Sequence, residues 1–211
     1  MLKKSLASIL SLAAISAAVP AVAADANNLY GVFSLGRSKF DASGASVDFY
    51  NTNNGFASSS TTSSTGATGG KAQLGYNLGK TFALEGGYTY LGKANYSSIT
   101  NLGTIGGSKD ASLFNLDLVG KFALNQQFSL LGRFGGYYWK TKNEMPNAAT
   151  LGTSTVNDNG FDFKLGAGVQ YDFTPKFGLR GEFERFNGVG KANTSGDSKV
   201  NQLTVGAVLK F

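Results

Sequence analysis

The stretch FDFKLGAGVQYDF, residues 161–173, alternates without a break. Its odd positions are Phe161, Phe163, Leu165, Ala167, Val169, Tyr171 and Phe173; its even positions are Asp162, Lys164, Gly166, Gly168, Gln170 and Asp172. A period of two held this long excludes a helix and makes a strand with one wholly apolar face. The same pattern runs through FNLDLVGKF (114–122), where Phe114, Leu116, Leu118, Gly120 and Phe122 oppose Asn115, Asp117, Val119 and Lys121. It returns in FGLRGEFERF (177–186) and in LTVGAVLKF (203–211).

Eight strands are predicted on this basis: 28–40, 70–78, 82–93, 111–123, 128–141, 160–173, 177–187 and 200–211. Three connections between them are tight: 77–81, 123–127 and 174–176. Four are long and polar: 41–69, 94–110, 142–159 and 188–199. Short and long alternate strictly, which puts every short turn at one end. A soluble meander has no reason to do this, whereas a membrane-spanning barrel with short periplasmic turns and long external loops does. The expected fold class is all-β: an eight-stranded antiparallel up-and-down transmembrane β-barrel occupying residues 25–211.

Composition agrees. With 29 Gly, 16 Phe, 9 Tyr and only 3 Pro in 211 residues, many strands are favoured over helices. Residues 1–24 read as a secretory signal peptide: Lys3 and Lys4, an apolar run from Leu6 to Val19, Pro20, and small residues offering cleavage after Ala23 or Ala24. The apolar run is shorter than the ~20 residues of a spanning helix. A net charge of +6 without a basic cluster argues against nucleic-acid binding.

Alternation alone leaves the inner face open. A lipocalin-like barrel would turn its apolar face inward. Aromatic placement favours the membrane solution. Phe82, Phe122, Phe128, Tyr171, Phe177 and Phe211 share the apolar face near the short turns, and Tyr88, Tyr90, Phe114, Tyr138 and Phe163 share it further up. Two aromatic bands on one face match the girdles at two membrane interfaces. The opposite face, with Glu85, Asp117, Lys121, Arg133, Arg180 and Glu182, is then the lumen. Counted up from the short turns, Glu85, Lys121, Gln170 and Arg180 fall near one level, and Asp117, Arg133 and Glu182 about one layer higher. Opposite charges at matched heights should pair, because a lone buried charge is costly.

The ordered pieces LYGVFSLGRSKFD (29–41), LGYNLGKTFALEGGYTYLGKA (74–94), DLVGKFALNQQFSLLGRFGG (117–136) and GAGVQYDFTPKFGLRGEFERF (166–186) resemble the OmpA-like transmembrane domain and related small outer-membrane barrels of Gram-negative bacteria. The resemblance implies an outer-membrane location, reached through the periplasm. It implies that Glu85, Arg133 and Arg180 match interior network positions, with Gln170 standing where the family has Glu. It also implies that the alternating residues Leu203, Val205, Ala207, Leu209 and Phe211 form the signal read by the outer-membrane assembly machinery. Full-length OmpA-type proteins add a peptidoglycan-binding domain; the chain stops at the barrel, so that tethering role is not expected.

Enzymatic chemistry is not expected. The chain has no His and no Cys, which removes the usual nucleophile–base pairs. Glu182 and Glu184 read as lumen neighbours, and the GKT at 79–81 lacks the upstream Gly of a phosphate loop. No cofactor or metal is expected. The expected partners are outer-membrane lipids including lipopolysaccharide, the assembly machinery, and a host or surface ligand at the loops, with the protein a monomer. The functional expectation is a structural or surface-interaction barrel plugged by polar side chains. The alternatives are a narrow porin-like channel and a loop-mediated adhesin. Phe49, Tyr50 and Phe56 in the first long loop either contact a partner or fold back over the rim.

Overall fold

Strand order around the sheet is decided by the two ends of the chain. β1 (Leu29–Asp41) pairs antiparallel with β9 (Ser198–Lys210) from Tyr30↔Lys210 to Asp41↔Lys199, which closes the sheet. Between them run helix α1 (Gly44–Asn53), β2 (Ser59–Ser63), β3 (Gly66–Asn77), β4 (Phe82–Thr100), β5 (Gly103–Ala123), β6 (Phe128–Asn147), β7 (Gly152–Asp172) and β8 (Phe177–Val189). The computed structural model describes residues 28–41, 44–53, 55–63, 66–147, 152–191 and 198–211. The proposed leader, 1–24, lies outside them. β1 also pairs β3, and β3 through β9 pair in sequence, giving a closed eight-stranded barrel with β2 added to the upper part of β4. Within the eight-stranded wall, the closing pair of β1 and β9 leaves neither end of the sheet unpaired.

The alternation sorts side chains as expected. On β7, Phe161, Phe163, Leu165, Val169 and Tyr171 point outward, while Lys164 and Gln170 are buried inside. Leu116 is 58% exposed and its neighbour Asp117 is 0% exposed. Water would punish such a wall; hydrocarbon does not. The outward apolar band on β7, from Phe161 to Tyr171, rises about 25 Å at ~3.3 Å per residue and a tilt of ~40°, the height of a barrel's lipid-facing belt. Rings pack along it, Tyr88 on Phe114 at 5.3 Å and Phe134 on Phe163 at 5.8 Å.

Each tight turn is pinned by a backbone bond across it: Leu78 N donates to Phe82 O (2.9 Å), Leu124 N to Phe128 O (2.8 Å) and Thr174 N to Phe177 O (3.1 Å). Asn125 Oδ1 accepts from the amides of Gln127 and Phe128, and Thr174 Oγ1 from those of Lys176 and Phe177, so side chains replace the missing ladder bonds.

The long connections differ from expectation. Residues 94–110 are not a loop: β4 and β5 pair through to Thr100↔Gly103, leaving Asn101 and Leu102 as the turn. Most of 142–159 is likewise β6 and β7, paired to Asn147↔Gly152. Above the apolar band the outward face is no longer apolar, and the buried inward positions include the polar Ser98, Ser108 and Asn143, so no apolar stripe marks these strands, yet their backbone ladders persist. Segment 41–69 carries α1 and β2 instead of open coil. Within 188–199, residues 192–197 lie outside the described set.

One bulge resets the faces of β4. Tyr90 opposes Ser112 and Gly92 opposes Ala111, so Leu91 is the extra residue. Gly92 takes a φ of 94°, a left-handed conformation that glycine adopts without strain. Below it Ala83, Glu85, Thr89 and Leu91 are buried inward; above it the buried positions are Ala94, Ser98 and Thr100, and Lys93 is exposed.

Candidate functional site

Buried side chains line the lumen in three tiers. Nearest the tight turns lie Tyr30, Val32, Ala83, Val119, Leu131 and Val208. Toward the long connections lie Phe40, Leu91, Leu113, Tyr137, Trp139, Phe186 and Val200, among others. Charge occupies the level between them.

Arg133 is the hub. Its Nη2 donates to Glu85 Oε2 (2.8 Å) and Asp117 Oδ2 (2.6 Å), and its Nη1 to Glu182 Oε1 (2.5 Å). Arg180 Nη1 donates to Glu85 Oε1 at 2.6 Å, while its Nε and Nη2 donate to Gln170 Oε1 at 3.0 and 2.9 Å. The Tyr30 hydroxyl donates to the same Glu85 oxygen at 2.6 Å. Lys71 Nζ lies 2.5 Å from both Glu182 Oε2 and Glu184 Oε2. Lys164 Nζ lies 2.5 Å from Glu184 Oε1 and 3.0 Å from Asp117 Oδ2. Asn115 adds a bond to Asp117 Oδ2 at 2.7 Å.

Four cations, Lys71, Arg133, Lys164 and Arg180, therefore meet four carboxylates, Glu85, Asp117, Glu182 and Glu184. The cluster is neutral as a whole, and every member is buried. Removing one partner of such a set strands a charge away from water, which typically costs ~3–5 kcal/mol.

Glycines make the room. A Cβ at Gly135 would fall 1.9 Å from Asp117 Oδ1, so only glycine opposite Asp117 lets that carboxylate lie against β6. A Cβ at Gly75 would fall 2.2 Å from the Tyr30 ring, which rests on the bare β3 backbone and so brings its hydroxyl to Glu85.

Of the residues expected in the network, Glu85, Asp117, Arg133, Arg180 and Glu182 share this cluster and Gln170 joins through Arg180. Lys121 stands apart: it is half-buried, donates to Asn77 Oδ1 at 2.6 Å, and holds its ammonium 4.2 Å from the Tyr30 ring centre. Gln170 also donates to Asp172 (2.8 Å), which accepts from Lys210 (2.7 Å) at the tight-turn mouth. Sequence reasoning missed Lys71, Lys164, Tyr30 and Gln73, whose Oε1 accepts from Arg133 Nη2 at 3.4 Å and whose Nε2 donates to Asp117 Oδ2 at 3.4 Å, and did not join Glu184 to the network. Counting Lys164 and Glu184 upward from the 174–176 turn would have found two of them. Lys71 sits in GATGGKAQLGYN, whose glycines leave no apolar alternation below residue 72. On β9, Leu203, Val205 and Phe211 face outward, Ala207 and Leu209 are half-buried, and Phe211 N donates to Leu29 O at 3.1 Å.

In the first long connection Asn51 Nδ2 donates to Ser59 Oγ (2.9 Å) and Ser98 Oγ (3.2 Å), and Asp48 accepts from the Ser59 and Thr61 hydroxyls, tying α1 to β2 and β4. Phe56 is buried, while Phe49 remains 68% exposed. The side chain of Tyr50 lies outside the described set.

A closed barrel with an apolar outer belt and a lumen lined by ion-paired side chains defines a transmembrane β-barrel of the small kind. Residues 7–211 match the Outer membrane protein beta-barrel domain, and the chain belongs to that family. It is an OmpA-like protein of the outer membrane. Outer membrane protein A of Shigella flexneri is 28% identical over 140 residues, 65% of this chain and 38% of the relative. Outer membrane protein A of Klebsiella pneumoniae is 26% identical over 191 residues, 88% of this chain and 51% of the relative. The chain thus spans between 38% and 51% of the length of these two relatives. Among solved structures, OprG of Pseudomonas aeruginosa superposes with a TM-score of 0.57 at 12% identity, covering 87% of this chain and 96% of that one. Neisserial surface protein A does so with a TM-score of 0.56 at 13% identity, covering 87% and 97%. These two share the fold.

Proposed function

We propose that this protein is a sealed, non-enzymatic barrel of the outer membrane with a structural envelope or surface-interaction role, its long connections turned to the exterior. The observation that supports this reading is the stacking of buried side chains inside the barrel, an ionic level of matched charge between two apolar tiers. An ion crossing it would have to displace buried partners from one another. Single-channel recording in planar bilayers tests the seal. No resolved conductance is expected, and steady pore openings in the purified protein would overturn the reading in favour of the narrow channel. A protease added to whole cells should cut at the exposed Asn101–Leu102 turn while leaving the tight turns intact; cleavage at 78–81 would reverse the orientation.

A surface contact through the first connection is the second reading, supported by the exposed Phe49 ring on a segment otherwise fastened to β2 and β4. Cells displaying a Phe49→Ser variant should lose adhesion to host-matrix coated surfaces that the parent binds; equal adhesion would remove this reading. We further propose that the outward residues of β9, from Leu203 to Phe211, are read by the assembly machinery. Phe211→Ser should lower folded barrel in cells while leaving detergent refolding near normal, and equal yields in cells would remove that role.

A further inference from the structure

Five polar atoms close a ring where the first long connection meets the wall. Asp48 Oδ1 accepts from the Ser59 hydroxyl at 2.8 Å and from the Thr61 hydroxyl at 2.6 Å. Thr61 Oγ1 lies 2.8 Å from Ser98 Oγ. The Asn51 amide completes the circuit, its Nδ2 donating to Ser98 Oγ at 3.2 Å and to Ser59 Oγ at 2.9 Å. Spacing along the chain makes this possible. Asp48 and Asn51 are three residues apart and share one face of α1, while Ser59 and Thr61 are two apart and share one face of β2. Ser98 stands directly opposite Thr61 in the ladder between β2 and β4.

The ring has the dimensions of a metal girdle. Its edges run from 2.6 to 3.2 Å. A regular pentagon with edges of about 2.9 Å holds its corners about 2.4 Å from its centre, within the range of about 2.3–2.6 Å for Ca²⁺–oxygen bonds. Five equatorial oxygens are also what a pentagonal bipyramid requires. Mg²⁺ demands an octahedron with oxygens at about 2.1 Å, which a ring this wide does not supply. Four of the corners are oxygen already. The fifth is Asn51, which is fully buried, and its Oδ1 has no partner among the described residues. Half a turn of that amide brings Oδ1 into the ring, where a cation satisfies an acceptor otherwise stranded away from water. Asp48, Ser59 and Thr61 are only half-buried, so the ring is reached from solvent.

We propose that this ring binds one Ca²⁺ through Asp48 Oδ1, Asn51 Oδ1 and the hydroxyl oxygens of Ser59, Thr61 and Ser98. One carboxylate among five ligands puts its dissociation constant near the ~10⁻⁴–10⁻³ M of weak extracellular sites. The ion fastens α1 to β2 and β4 and fixes the position of Phe49, the exposed residue that follows Asp48. The sequence carries no sign of a metal here, because four of the five ligands are neutral side chains without a metal-binding spacing.

Hydrogen–deuterium exchange of the folded barrel in detergent tests it, with CaCl₂, MgCl₂ and NaCl as the probes. Ca²⁺ should slow exchange across 44–53 and 59–63, with half of the effect reached at ~10⁻⁴–10⁻³ M, and neither other salt should do so at that concentration. Asp48→Asn should abolish the response. Asn51→Asp separates a metal site from a latch made of hydrogen bonds alone. Its second carboxylate should tighten Ca²⁺ binding about tenfold or more, because affinity rises with ligand charge. Without Ca²⁺ the same variant should exchange faster than the parent, since two like charges then face each other. Heat-modifiable gel mobility confirms that each variant is folded. No response to Ca²⁺ in the parent, an equal response in Asp48→Asn, or an equal response to either other salt would overturn the proposal. So would an Asn51→Asp variant that binds Ca²⁺ no better than the parent.

Discussion

Glu85 is held by two guanidiniums and one phenol, and no water is needed to explain its charge. Arg180→Ala leaves four carboxylates facing three cations, so it should destabilise the barrel by ~3–5 kcal/mol. Glu85→Gln restores the count, and the double variant should recover a large part of that loss. A double-mutant cycle read by urea unfolding in detergent measures the coupling; strictly additive losses would mean that the two side chains do not act on one another. The outer wall obeys the opposite rule. Leu116→Arg places a charge in mid-belt and should cost ~2–4 kcal/mol. If folded yield tolerated Leu116→Arg and not Asp117→Asn, inside and outside would be interchanged.

At the scale of the strand, the belt and what rises above it follow different logics. Within the belt an outward residue must be apolar, so the alternation of β7 or β8 is legible directly from its letters. Above it, Asn95, Ser97 and Gly106 carry no such mark, and strands there are legible only from their backbone ladders. Ion-pair partners were legible where one strand offered charge at a countable height, as Glu182 and Arg180 do. They were illegible where barrel stagger carries a side chain across to a non-neighbouring strand, as with Lys71 on β3 reaching Glu184 on β8. The upper hairpins are held by local polar contacts. A hydrogen bond from the Ser108 hydroxyl (2.8 Å), then Lys93 (3.4 Å), keeps the Glu144 carboxyl below its usual range. A lowered folded pKa means that this contribution is complete above the unfolded value of ~4.3 and is lost as pH falls through the folded one. Amide protection around Ser108 and Glu144 should therefore drop below about pH 4, and Glu144→Gln should remove that dependence. A parent and variant with the same pH profile would show that the contact carries no weight.

The whole molecule depends on a seam between its first and last strands. Leu35 and Val205 face each other across it and both point outward. The chain has no cysteine of its own, so Leu35→Cys with Val205→Cys gives a clean probe. Directly opposed residues on antiparallel strands are ~4.5–5.5 Å apart at Cα, within disulfide reach. Oxidation should join them in the folded barrel, whereas Leu35→Cys with Thr204→Cys, whose side chains take opposite faces, should stay reduced. Efficient joining of the second pair would mean a different register. Inside that seam the neutrality of the ionic level has a bearing on heredity. Any single loss of sign leaves one uncompensated unit of charge shut away from water, whichever of the eight residues supplied it. Their tolerance is therefore shared. Descent can pass from one balanced set to another in paired steps, or through a neutral stand-in that still offers oxygen to a guanidinium, as Gln170 does for Arg180. The set of workable clusters is broad, but the single-step paths that join them are few.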